Sequence, residues 1–174
     1  TAENKSIEGL KLNFDGMVID DFVSSAIAEV NYKIKLDEGW SLTPGARYIH
    51  QMDEGAGAIG GAALNGSLAG VSGNSKGYTD AGSVDGGAWM ARMKLAKGAG
   101  SVTAGYSAVL NEADLIAPWR GFPTGGYTRS MAQYNWEANT KSWMLKVVYD
   151  FGKADIVPGL RGALDYAQMD FDDN

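Results

Sequence analysis

Seven stretches of the chain alternate apolar and polar residues with a period of two. In the most regular stretch, residues 101–110, Val102, Ala104 and Tyr106 share one face, while serine, threonine and glycine dominate the other. Successive side chains of a strand point to opposite faces, so this pattern predicts strands whose faces meet different environments. The predicted strands cover residues 10–15, 26–36, 40–52, 88–96, 101–110, 142–151 and 160–166. No stretch has a convincing helical period, and we predict an all-β chain in which residues 1–174 form one segment without separate domains.

The connections between these strands alternate between short and long. The short turns, then the longer connections, lie at residues 37–39, 97–100 and 152–158, and at 16–25, 53–87 and 111–141. In an antiparallel sheet, the short turns then fall at one end and the longer connections at the other. Outer-membrane barrels have this asymmetry, with short periplasmic turns and long extracellular loops. The pattern predicts part of an antiparallel transmembrane β-barrel in the outer membrane of a Gram-negative bacterium.

The apolar face of the predicted strands is rich in aromatic residues and in alanine. Most of the aromatic residues lie near strand ends, where a membrane barrel has its interfacial girdles. They are Tyr32, Trp40, Tyr48, Trp89, Tyr106, Trp143, Tyr149, Phe151 and Tyr166. Alanines such as Ala91 and Ala104 would fill a protein core poorly but face lipid tails at little cost. We predict that this face contacts the lipid bilayer and lipopolysaccharide.

The opposite, polar face carries eight of the fifteen basic residues and only four of the twenty-one acidic ones. A basic row inside a barrel attracts anionic groups and guides them along the wall. We therefore predict that small anionic or polar solutes pass along this face, although solvated side chains on a wet surface would have the same pattern. The predicted pore-lining residues are Lys33, Lys35, Arg47, Arg92, Lys94, Lys146 and Arg161.

Composition excludes several kinds of chemistry. The chain has no cysteine, which removes disulfides, thiol nucleophiles and thiolate metal sites. His50 is the sole histidine, so a catalytic triad or a multi-histidine metal site lacks its members. A net charge of −6 disfavours binding to nucleic acid. We predict a protein that is not an enzyme and that binds no metal, cofactor or nucleic acid.

The connection at 111–141 combines aromatic residues with two arginines, Arg120 and Arg129. If this loop folds into the barrel, both arginines could bind a carboxylate while the aromatic residues narrow the pore. We predict Arg120 and Arg129 as candidates for a constriction. The alternative is a loop that packs its own aromatic residues at the rim.

Four segments of the sequence have the character of one porin family. Residues 142–166 read SWMLKVVYDFGKADIVPGLRGALDY, and residues 31–58 read NYKIKLDEGWSLTPGARYIHQMDEGAGA. Between them, residues 100–113 read GSVTAGYSAVLNEA, and residues 118–143 read PWRGFPTGGYTRSMAQYNWEANTKSW. Together they resemble the strands, short turns and long loop of the OprD-like specific porins of the outer membrane. The loop around residues 119–122 departs from the family pattern.

The resemblance implies a barrel of about eighteen strands, a monomer or loose trimer, that admits small solutes through a narrowed pore with a basic ladder on its wall. Seven strands are too few for such a barrel, so we expect an internal segment whose open edges pair with further strands. Two alternatives of other classes remain open from the sequence. One is a soluble β-barrel or sandwich that binds a ligand, and the other is a structural protein whose strands assemble into a filament.

Overall fold

The fold is described from a computed structural model that covers residues 7–57, 83–116, 126–128 and 137–170, together with the backbone of residues 2–4. It contains nine strands and one 3₁₀ turn, Asp37–Gly39. The strands are β1 (Ala2–Asn4), β2 (Leu10–Ile19), β3 (Val23–Tyr32), β4 (Ile34–Lys35), β5 (Trp40–Asp53), β6 (Gly86–Lys97), β7 (Gly100–Val109), β8 (Lys141–Asp150) and β9 (Arg161–Asp170).

All nine strands belong to one antiparallel sheet that follows the chain as a meander. The order is β1-β2-β3-β5-β6-β7-β8-β9. The short β4 follows β3 in the chain and pairs with the beginning of β5. Each long strand pairs with the next long strand in sequence over nine to twelve residues. The prediction of an all-β antiparallel sheet is confirmed.

The seven predicted strands are all present, and the main differences lie in the first two of them. The predicted connection 16–25 is wrong, because β2 runs to Ile19 and β3 begins at Val23, leaving a turn of three residues. Met17 and Ile19 pack on the inner side while Val18 is exposed on the outer side, so apolar residues on both faces conceal the period of two. The predicted strand 26–36 is interrupted at Lys33, whose amide donates a hydrogen bond to the Gly9 carbonyl at 2.7 Å.

The turns at residues 36–39 and 98–99 and the connection 151–160 lie at one end of the sheet, while both long connections and the short turn 20–22 lie at the other. β6 and β7 are joined by Gly98 and Ala99 alone, and Gly98 has a φ of 53°, which a glycine adopts without strain. The long connections, residues 54–85 and 110–140, leave from the opposite end. We call these the turn end and the loop end of the sheet.

One face of the sheet, the outer face, is apolar and exposed. Its residues alternate along every long strand with the residues of the opposite, inner face, as the pleat requires. Large exposed side chains on it include Val18, Tyr48, Trp89, Trp143, Leu164 and Tyr166. A soluble sandwich or barrel buries its apolar face, so this sheet has the inverted arrangement of a membrane barrel.

Aromatic side chains lie toward both ends of the outer face. A register row is the line of residues that are partners across neighbouring strands. Trp40 and Tyr149 lie in one such row at the turn end, while Tyr48 and Trp89 are paired near the loop end. The register row Leu42, Leu95, Val102, Val147 and Leu164 lies between them. Trp40 and Tyr48 are separated by about 26 Å of strand, which is comparable with the apolar band of an outer-membrane barrel. Within the described residues, none of the chain forms a helix long and apolar enough to cross a membrane.

Candidate functional site

The inner face of the sheet is divided into register rows with different chemistry. The upper row, toward the loop end, is apolar and buried, and it consists of Ile27, Ile49, Ala88 and Val109. The lower row, toward the turn end, is polar and at least partly exposed, and it consists of Thr43, Lys94, Thr103, Lys146 and Asp165. The inner face therefore has an apolar row within the face that was predicted to be polar.

Loop residues cover the upper row. Leu115 and Tyr127, which both belong to the connection 110–140, form one buried apolar cluster with the upper row and with Met90. The segment 126–128 lies directly on the wall, since a Cβ atom on Gly105 of β7 would come within 2.6 Å of the Tyr127 carbonyl oxygen. Because the apolar inner residues meet apolar loop residues, burial removes both surfaces from water and holds the loop inside.

Polar side chains of the wall attach the loops by hydrogen bonds at two places. Gln51 is 1% exposed, and its amide donates to the carbonyl oxygens of Val84 at 2.7 Å and Asp114 at 2.9 Å. Its side-chain oxygen accepts from the Ile116 amide at 2.7 Å. One side chain of β5 thus joins segments of both long connections, and it satisfies three backbone groups that would otherwise be buried without partners.

The second attachment of a loop to the wall is made by three hydroxyl groups. Thr128 in the loop lies 3.0 Å from the Ser107 hydroxyl of β7 and 2.6 Å from the Ser142 hydroxyl of β8. All three residues are buried. The loop segment 126–128 is therefore attached to two neighbouring strands as well as to the apolar cluster.

Between the upper and lower rows lies a charged cluster around Glu29, whose side chain is 8% exposed. Arg47 on the neighbouring strand donates to the Glu29 carboxylate through Nε at 2.7 Å and also through Nη2. Asn31 donates to the same carboxylate at 2.6 Å. The Arg92 guanidinium lies 3.8 Å from it and donates through Nε to the Asn31 side-chain oxygen at 3.0 Å.

Tyr127 closes this cluster from the loop side. The guanidinium carbon of Arg92 lies 4.4 Å from the centre of the tyrosine ring, and that of Arg47 lies 5.3 Å from it. Both distances are those of cation–π contacts. Burial, and after it the negative charge of Glu29, raises the pKa of Tyr127 to about 12. The phenol is therefore neutral at physiological pH.

The comparison with known proteins decides the family. The sequence matches the outer membrane porin, OprD family, over residues 3–170. The chain belongs to this family. Comparison by sequence with curated proteins gave no significant match.

Solved OprD-family structures have the same fold. The Pseudomonas aeruginosa OccK8 (OprE) structure has a TM-score of 0.72 and 22% identity over 95% of this chain and 41% of that chain. OpdO of the same organism has a TM-score of 0.68 and 21% identity, covering 97% and 38%. P. aeruginosa OpdK with vanillate has a TM-score of 0.69 and 17% identity, covering 92% and 36%. The chain thus spans about two fifths of these porins, and its sheet is part of an outer-membrane barrel.

Six of the seven predicted pore-lining residues lie on the inner face of this OprD-family sheet, and Lys33 lies between β3 and β4; the seven do not form one group. Arg47 and Arg92 belong to the cluster around Glu29. Lys94 and Lys146 lie in the lower row, where Lys146 donates to Asp165 at 3.0 Å. Lys33, Lys35 and Arg161 lie at the turn end, and Lys35 pairs with Glu8 at 2.6 Å. Their role as pore-lining residues stays a prediction.

The candidate constriction residues Arg120 and Arg129 lie outside the described residues. The groups of His, Cys, Asp and Glu within the described ranges include no arrangement suited to a metal ion.

Sequence reasoning missed the residues that attach the loops, namely Gln51, Thr128 and Glu29. The period of two places Glu29 and Arg47 on the polar face, but only the register makes them direct cross-strand neighbours. The signal for Gln51 is weaker, because a glutamine on a polar face gives no indication that loops from two distant segments reach it.

Proposed function

We propose that the complete protein is a passive outer-membrane channel for small hydrophilic solutes, not an enzyme, and that basic side chains on its lower inner wall favour anionic groups. The observation that carries this proposal is the division of the sheet into an exposed apolar face and a polar inner face with loops attached to it. A channel needs exactly one wet face that is shielded from lipid.

The charges of the lower wall support a preference for anions. Among the described residues, Lys33, Lys94 and Arg161 make no ion pair, whereas Asp165 is paired with Lys146. Unpaired cations inside a low-dielectric wall attract anions and repel cations. The vanillate in the OpdK structure is an aromatic carboxylate, which agrees with a solute of this class.

The expected lipid contact is supported by the exposed apolar face. Contact with lipopolysaccharide and assembly into a trimer stay predictions. The mass of the complete protein, measured by light scattering with correction for bound detergent, would distinguish a monomer from a trimer.

Single-channel recording of the complete protein in a planar bilayer tests the channel itself. We expect discrete, stable conductance and, under a salt gradient, a reversal potential of the sign that indicates anion preference. The absence of conductance from correctly folded protein would contradict the proposal.

The variant Lys94→Gln tests the contribution of the lower wall. We expect it to lower the anion-to-cation permeability ratio about two-fold, because it removes one inner charge. Lys97→Gln is the matched control, since Lys97 is on the same strand but contacts the Trp40 ring at 5.0 Å on the outer face. Equal shifts from both variants would show that the inner position of Lys94 is irrelevant.

A further inference from the structure

Glu29 lies where two arginines and a loop aromatic residue meet on the inner wall. Its carboxylate accepts from Arg47 and Asn31, and it lies 3.8 Å from the Arg92 guanidinium. Among the described residues, the cluster contains two positive charges, Arg47 and Arg92, and one negative charge, Glu29. The position that an anionic solute would take between the two guanidinium groups is thus already taken by a carboxylate of the protein itself.

Gly45 makes the longer of these contacts possible. Asn31, Gly45 and Arg92 are register partners on three adjacent strands. A Cβ atom on Gly45 would collide with the Asn31 side-chain oxygen and come within 3.1 Å of the Arg92 side chain. The missing side chain lets Arg92 cross the face of β5 and reach Asn31, which in turn donates to Glu29.

The two arginines also contact the loop. Both guanidinium groups lie within about 6 Å of the Tyr127 ring, the range of a cation–π contact. Tyr127 belongs to the segment that Thr128 attaches to β7 and β8. The orientation of the arginines, which Glu29 holds, therefore affects the position of the loop.

We propose that Glu29 determines the ion preference of the channel by acting as the resident counterion of Arg47 and Arg92. With Glu29 in place, the arginines support the loop and contribute one net positive charge to the wall. Solute preference then depends mainly on the unpaired cations nearer the turn end. This inference rests on the proposed channel function.

The variant Glu29→Gln, made in the complete protein, tests this role. Glutamine keeps the size of the side chain and removes its charge, so the cluster changes from one net positive charge to two. We expect the anion-to-cation permeability ratio, measured from the reversal potential under a potassium chloride gradient, to rise about five-fold. Open-channel noise is expected to increase as well, because the arginines lose the group that orients them below the loop.

Two further variants separate this role from a merely structural one. In Glu29→Gln combined with Arg92→Gln, the cluster regains one net positive charge, and we expect the permeability ratio to return to within two-fold of the parent. Asp165→Asn is the charge-matched control. Asp165 and Lys146 are 23% and 38% exposed and therefore better screened, so we expect less than a two-fold change and no added noise.

The outcomes distinguish this inference from the proposed function. A parent protein without conductance would overturn the channel itself. A conducting parent whose permeability ratio is unchanged by Glu29→Gln would overturn only the role of Glu29. A raised ratio that the added Arg92→Gln change fails to reverse would also overturn it, because the effect would then not act through the arginines.

Discussion

The upper and lower rows of the inner wall share strands β5, β6 and β7 and point to the same side of the sheet, yet their environments are opposite. Ile49 and Ala88 in the upper row are buried under loop residues, while Lys94 in the lower row is exposed. The difference lies in what covers them. Leu115 and Tyr127 pack on the upper row, and Tyr127 also contacts the two arginines of the cluster around Glu29. A row of the inner face is therefore dry where loop residues cover it.

The largest effect is expected from placing the same charge in each row. Ile49→Asp introduces an unpaired carboxylate into the apolar cluster, and we expect the free energy of unfolding to fall by about 4 kcal/mol. Thr103→Asp is the matched change in the lower row. Its register partners are Lys94 and Lys146, so we expect a change of less than about 1 kcal/mol. Urea unfolding of the complete protein in micelles measures both, and equal losses would contradict the division.

The hydrogen bonds of Gln51 test whether polar contacts also hold the loop over the upper row. Gln51→Leu leaves three buried backbone groups without their partner, and we expect a loss of about 3 kcal/mol in the free energy of unfolding. Faster hydrogen exchange of the Ile116 amide would localise the effect. Gln168→Leu is the control, since Gln168 is exposed on the outer face and lipid accepts leucine without loss. Unchanged exchange at Ile116 would show that apolar packing alone holds the loop.

The smallest expected effect on the free energy of unfolding at neutral pH comes from the ionisation of Tyr127. This residue lies at the boundary between the rows, where it faces Glu29, Arg47 and Arg92. Its pKa is raised to about 12 from an ordinary value of 10.0. Because the folded-state pKa is the higher one, the stabilisation from neutral Tyr127 is complete below pH 10 and is lost as the pH rises through about 12.

Absorbance of tyrosinate near 295 nm, taken as the difference between the parent and Tyr127→Phe, measures this titration. We expect Glu29→Gln to move the pKa of Tyr127 back toward 10.0, since it removes a nearby negative charge. A difference spectrum that already titrates at the ordinary value in the parent would place the phenol in water instead of under the loop.

Much of the fold could be predicted from the sequence because the period of two is local. Tyr48 and Arg47 take opposite faces whatever surrounds them, and the lengths of the connections identify the loop end. The three-residue turn before Val23 was missed because Met17, Val18 and Ile19 are apolar in succession, which hides the alternation of β2. The family resemblance is confirmed by the match over residues 3–170.

The candidate site was less accessible to such reasoning. The sequence assigns Glu29, Arg47 and Arg92 to one face, but a face includes dozens of possible neighbours. Register makes Glu29 and Arg47 direct partners, and Gly45 opens the path for Arg92. The approach of Tyr127 joins residues that are far apart in the chain, which no local pattern encodes.

By itself, the sequence determined the number of long strands, their antiparallel order and the side of the sheet that is apolar, since these follow from alternation and from the lengths of connections. Only the tertiary structure decided that the upper inner wall is dry and that a carboxylate of the chain pairs with its own arginines. Those features depend on contacts between segments far apart in the chain, such as Arg47 and Tyr127, and contacts of that kind form only when the register and the loop position are set together.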